Sequence, residues 1–156
     1  MYDIPKDLLD AYKAAPDIYR ALLADCTQEE AANARGGDEG WSVIEVMCHM
    51  RDAEERAWER MSLMRDRDNP HLPGYDQEEW ARERNYAGEK LHSALEGFIR
   101  FREQHIADLE ALEPEEWERP GVHEGLGGID IKAQTIHMAA HDAQHAAQIA
   151  RQLRKA

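Results

Sequence analysis

The chain has 156 residues, of which 42% are hydrophobic and 33% charged, and its formal net charge is −13. That length suits one domain with a core of its own, spanning 1–156. An acidic surface repels phosphate backbones and anionic lipids, which argues against nucleic acid or a membrane as partner.

Val, Ile and Phe are few beside Ala, Leu, Glu and Arg, so the composition favours helices over strands. No apolar run approaches the length of a membrane span. The opening MYDIPKDLLDAYK lacks the apolar core of a signal peptide, and a cytoplasmic location is expected. Cys26 and Cys48 do not make a disulfide framework, and Cys48 reads as a small buried thiol.

A first helix is predicted from Pro5, which suits a first-turn position. Leu8, Leu9, Tyr12, Ala15, Ile18, Tyr19, Leu22 and Leu23 recur along it at helical spacing, with Pro16 as a kink or restart. Thr27 and Glu30 read as the capping box of a short helix that ends at the glycines of GGDEG.

The second long helix has the clearest start. Ser42 with Glu45 makes a capping box, and Trp41 with Val46 occupies the two staple positions. Val46, Met50, Ala57, Met61 and Met64 form its apolar face, and His49 lies beside that face. It is expected to stop before Asn69–Pro70.

A third helix is predicted from Asp76, about 35 residues long by the spacing of its apolar positions, with Gly88 and Gly97 as points of bending. A short turn opens at Glu113–Pro114, and RPGVHEGLGG reads as a loop before Asp130, the cap of the last helix. Four long amphipathic helices, joined by connections long enough to cross over, predict an all-α four-helix bundle.

The last helix, Ile129 to Leu153, carries His137, His141 and His145 at intervals of four. A step of four advances the azimuth by roughly 40°, so the three rings share one stripe. Two imidazoles at i and i+4 can reach one ion. Spacing alone does not choose between the pair His137/His141 and the pair His141/His145. Of the other histidines, His71, His92 and His105 read as solvated, and His123 as a surface residue near the mouth of any site.

GWSVIEVMCHMRDAEERAWERM together with IHMAAHDAQHAAQIARQL resembles the DinB/YfiT-like superfamily. The shared pattern is a Trp-Ser start, a His about one turn later, and a terminal HxxxHxxQI helix; EEWERPGVHEGLG also resembles the approach to that helix. The resemblance covers nearly the whole chain. It implies a four-helix bundle in which three histidines bind a divalent metal, zinc or nickel, and it implies a homodimer. Carried over residue by residue, the ligands are His49, His141 and His145, with His137 flanking them.

Some members resemble transferases that use a low-molecular-weight thiol. The expected function is therefore a metal-dependent enzyme acting on a small molecule, a thiol S-transferase or a hydrolase. The alternative is a non-catalytic homodimeric bundle that binds metal for stability or adventitiously. No general base is assigned, and Asp52 and Asp142 read as surface charges or as partners of the ligands. Ala139, Ala143, Ala146, Ala147 and Ala150 form a small-residue strip that permits another helix to approach closely.

Overall fold

Asp3 accepts a hydrogen bond from the Lys6 amide and starts α1 (Ile4–Leu23) in the computed structural model, which describes residues 2–155. The helix runs on through Pro16, where the sequence predicts a kink or restart; Pro16 lies on the buried face, and packing carries the helix past its missing N–H. Thr27 caps α2 (Gln28–Asn33), and the short strands β1 (Arg35–Gly36) and β2 (Trp41–Ser42) pair antiparallel behind it.

Ser42 and Glu45 complete the predicted capping box at the head of α3 (Val43–Asp66). Trp41 is buried in the same apolar cluster as Val46, and its ring centroid lies 5.4 Å from that of His49. The start of α3 is thus fixed on two sides, less than two turns before a candidate ligand.

The long third helix of the sequence reading is in fact two. Asp76 caps α4 (Gln77–Glu83) as expected. Asn85 then turns left-handed with φ 49°, a 3-10 turn follows at Tyr86–Gly88, and α5 (Leu91–Glu110) starts afresh. Asn tolerates the left-handed region better than most residues, and apolar periodicity is blind to such a break. Gly97 lies inside α5 against Arg51, and the helix continues through it.

The segment read as a loop before the last helix is a hairpin. Strand β4 (Pro120–His123) pairs antiparallel with β5 (Gly127–Asp130) and parallel with β3 (His71–Leu72), which follows α3. Leu72 is fully buried, a contribution of roughly 1.5–3 kcal/mol that anchors the little sheet on the bundle. Gly121 is required by contact, because a Cβ there would stand 2.8 Å from Met64 Cγ and 2.9 Å from Leu72 Cδ1. Asp130 then accepts from the Ala133 amide and opens α6 (Ile131–Lys155).

The four long helices α1, α3, α5 and α6 form the bundle. Helix α3 packs on α5 and α6, and so does α1. Helices consecutive in the chain, α1 with α3 and α5 with α6, therefore stand at opposite corners, and both connections cross the bundle. The fold is the expected all-α four-helix bundle with crossovers.

Two apolar clusters fill it, one around Tyr19, Val46, Phe98 and Ile149, the other around Tyr12, Met61, Ile106 and Ile131. Arg102 joins them, stacked over the rings of both Phe98 and Tyr12.

Candidate metal centre

Helix α3 delivers His49 and α6 delivers His141 and His145 to one point. Each offers a ring nitrogen, and the three nitrogens lie within 4.8 Å of one another. His49 Nε2 stands 2.9 Å from His141 Nε2, and the His141 and His145 ring centroids are 4.4 Å apart. His49 is buried and the other two are partly buried. Of the two pairs that spacing left open on α6, only His141/His145 enters the cluster. His137, one turn earlier, is exposed and lines the cleft beside it.

The rings are held neutral. Burial, then the neighbouring His145, pushes the His49 pKa down to about 3. Burial and the same neighbours depress His141 well below the usual imidazole range. Burial lowers His145 too, against the hydrogen bond its Nδ1–H donates to Gln148 Oε1. Neutral imidazole is the form that ligates metal.

A chain of amides sets the tautomer of His145. Gln152 Nε2 donates to the carbonyls of Ala34 and Trp41 at 2.9 and 3.2 Å, which fixes that amide's orientation. Its oxygen accepts from Gln148 Nε2 at 2.8 Å, so Gln148 turns its own oxygen to His145 Nδ1, also at 2.8 Å. An oxygen acceptor requires Nδ1–H, and the lone pair of His145 is left on Nε2.

The cluster suits a cation better than it suits itself. Two neutral Nε2 atoms at 2.9 Å need either one proton between them or a cation taking both lone pairs. Nitrogens sharing a tetrahedral ion at the usual bond length stand roughly 3.3 Å apart; the closest pair here stands at 2.9 Å and all three lie within 4.8 Å. Among the described residues His141 Nδ1, on the far side of the ring from that pair, is buried without a partner.

His49 and His141 of the cluster line a cleft of about 730 Å³. Ala53 and Met138 give it an apolar stretch, and Arg60, Tyr75 and His123 reach into it. Tyr75 Oη lies 3.5 Å from His49 Nδ1; burial pushes its pKa up to about 12, so it faces the site as a phenol.

Several sequence expectations need correction. His105, read as solvated, is fully buried; its Nδ1 lies 2.7 Å from Glu54 Oε1, and its ring meets Tyr12 edge-on. Asp142 and Asp52 are not surface charges. Asp142 accepts from Arg102 at 2.8 and 2.9 Å, and Asp52 accepts from Arg51, Arg84 and Tyr86.

Arg102 also reaches Glu54 at 2.9 Å. Burial pushes Glu54 up, but Arg102 and His105 outweigh it and carry its pKa down to about 2. Of the charged residues that made α5 look solvated around His105, Arg102 turns inward and pairs with Glu54 of α3 and Asp142 of α6. His71 and His92 are exposed as expected. Cys48 is buried, and burial pushes its thiol up to about 12, which keeps it protonated.

The model of the DinB superfamily matches residues 11–149. A protein of Oceanobacillus iheyensis named "Putative metal-dependent hydrolase" is 27% identical over 135 residues, covering 86% of this chain and 77% of that one. A second protein of that organism and name is 26% identical over 111 residues, 70% of this chain and 62% of its own length. A solved structure described as "YfiT from Bacillus subtilis is a probable metal-dependent hydrolase with an unusual four-helix bundle topology" shares the fold. Its TM-score is 0.87 at 18% identity, over 97% of this chain and 86% of that one. No helix among the described residues is long and apolar enough to cross a membrane.

Proposed function

The chain belongs to the DinB superfamily, and on that premise we propose that it is a metal-dependent hydrolase in which His49, His141 and His145 hold a divalent ion, zinc or nickel. One observation carries the reading: three neutral imidazoles from two helices converge beside a cleft large enough for a small molecule. Three protein ligands leave a coordination position open, the pattern of catalytic sites, not of closed structural ones. The names of the relatives support hydrolysis before thiol transfer. The cleft, lined by Tyr75, Arg60 and Met138, favours an enzyme over a bundle that binds metal only for stability.

The bound ion supplies Lewis acidity to an oxygen or a low-molecular-weight thiol placed beside it. The chain supplies the rest. Gln148 and Gln152 keep the lone pair of His145 on Nε2, and Tyr75 offers a phenolic donor next to His49.

Homodimerisation is part of the same proposal. Ala143, Ala147 and Ala150 on α6 are exposed and small enough to admit a second copy, which sedimentation equilibrium tests.

The experiment for the metal is elemental analysis of protein purified without a histidine tag, with single alanine variants. His49→Ala, His141→Ala and His145→Ala are each expected to abolish stoichiometric metal, and His137→Ala to retain it. Loss in His137→Ala with retention in His145→Ala overturns the ligand set. An ester and thiol-transfer panel on the loaded protein then separates hydrolase from transferase.

A further inference from the structure

Arg60 lies eleven residues after His49 on α3, about three turns along the same stripe, and lines the same cleft. It is 9% exposed. Its Nε and Nη2 both donate to the Pro73 carbonyl, at 3.0 and 2.7 Å, which pins the guanidinium to the segment after β3. Among the described residues no carboxylate lies within ion-pair distance of it, and Nη1 has no partner in the protein.

Its neighbour Arg56 is compensated, paired with Glu59 at 2.8 Å and laid over the Trp80 ring. Arg60 is not. Burial and the adjacent Arg56 both work against its charge. A largely buried guanidinium with no carboxylate at ion-pair distance is an arrangement that an incoming anion relieves.

His123, on β4, lines the same cleft. Its Nδ1 accepts from the amides of Gly125 and Leu126 at 2.9 and 3.0 Å. Backbone amides only donate, so Nδ1 is the acceptor and the ring proton sits on Nε2. His123 is therefore a neutral donor on the cleft wall.

The acids at the rim are already engaged. Glu124 is paired with His71 at 3.1 Å, and Asp76 accepts the Glu78 and Glu79 amides as the cap of α4. What the cleft offers, away from the three histidines, includes two donors with no acceptor of their own, Arg60 Nη1 and His123 Nε2–H.

We propose that the substrate carries a carboxylate, bound by Arg60 Nη1 and His123 Nε2–H, with a short apolar spacer over Ala53 and Met138 leading to the group that reacts at the three-histidine end. The reacting end rests on the metal-dependent reading above; the carboxylate subsite does not. Guanidinium and a neutral N–H together recognise carboxylate geometry and charge.

The test uses monohydroxamates of straight-chain dicarboxylic acids, from succinic to suberic, each compared with its terminal amide. Isothermal titration is run on zinc-loaded and on metal-free protein, with acetohydroxamate reporting the ion alone. At one chain length the acid is expected to bind roughly 10- to 100-fold tighter than its amide, the effect of a charge-assisted bond. The preference is expected to persist in metal-free protein at lower overall affinity.

Arg60→Gln is expected to erase the preference while leaving acetohydroxamate affinity unchanged. His123→Ala is expected to reduce the preference without affecting zinc uptake, which keeps the test decisive if Arg60→Gln folds poorly. Equal binding of acid and amide at every length overturns the subsite, as does a preference that survives Arg60→Gln. Failure of zinc uptake or of acetohydroxamate binding counts against the metal reading alone.

Discussion

Gln148 presents its side-chain oxygen to His145 Nδ1 at 2.8 Å, and it does so because Gln152, four residues on, leaves it no other orientation. The carbonyls of Ala34 and Trp41 hold Gln152 in turn. The tautomer of a candidate ligand is thus dictated from the backbone at the N-terminal end of α3. Gln148→Leu is expected to weaken zinc or nickel binding by roughly 10- to 100-fold, the usual effect of removing a partner that orients a ligand. Gln152→Leu is expected to act in the same direction. Chelator competition measures the affinity, and ¹⁵N shifts of His145 report the tautomer. Unchanged affinity together with an unchanged tautomer would remove the relay from the account.

The buried Glu54–Arg102–Asp142 set is expected to be intolerant of single losses. Arg102→Met leaves two buried carboxylates without their cation, and Glu54→Gln removes a charge that both Arg102 and His105 face. Each is expected to cost about 3–5 kcal/mol in urea unfolding. Asp142 follows His141 directly, and its backbone carbonyl accepts from Tyr19 Oη at 2.7 Å, so the same network sets the rotation of α6. Metal affinity is expected to fall with stability in these variants.

Acidification is expected to act through the histidines first. Their folded pKa values lie below the ordinary 6.5, to about 3 for His49, so below pH 6.5 the unfolded chain binds more protons than the folded one. The stability of metal-free protein therefore declines as the pH falls from about 6.5, by up to about 1.4 kcal/mol per pH unit for each such ring. Glu54 works in a lower window: its depressed pKa lends stability that is whole above about 4.5 and is lost as the pH falls toward 2. His49→Gln is expected to flatten the upper window and leave the lower. Parallel urea titrations of the two proteins from pH 7 to 5 measure it, and identical slopes would contradict the assignment.

Ser42→Ala is expected to cost about 1 kcal/mol, because Ser42 accepts the Glu45 amide and Glu45 returns the bond. The same change loosens the head of α3, on which His49 rides. Thermal unfolding with and without zinc separates the two effects: a larger loss in the loaded protein points to the site, an equal loss to the helix alone.

The start of α3, the caps at Asp76 and Asp130 and the bundle itself were legible because each rests on local chemistry, a capping side chain or a 3.6-residue period. The meeting of His49 with His141 was not legible from spacing. It came from family likeness, and the fold supplies it through two crossovers that place α3 beside α6. His105 and Arg102 were misjudged or passed over because a charge pattern within α5 does not reveal Glu54 waiting on α3. Asn85 escaped because one left-handed residue leaves no mark on apolar periodicity. Arg60 and His123 were invisible as a pair, since β3 and β4 come together only through a parallel pairing of distant segments.

The contacts that build the site are among the longest-range in the molecule: His49 with His141 spans 92 positions, Gln152 with Ala34 spans 118, and Tyr19 with Asp142 spans 123. Contacts so distant in sequence form late, because loop closure must precede them. Helix α6 brings two of the three rings together with the glutamines that orient one of them. Ion capture is therefore coupled to the docking of α6, and a folding intermediate with α1, α3 and α5 assembled would hold one imidazole and no chelate. Metal held by all three rings during refolding then reports the docking of α6 on α3, since His141 and His145 alone offer two corners and His49 supplies the third.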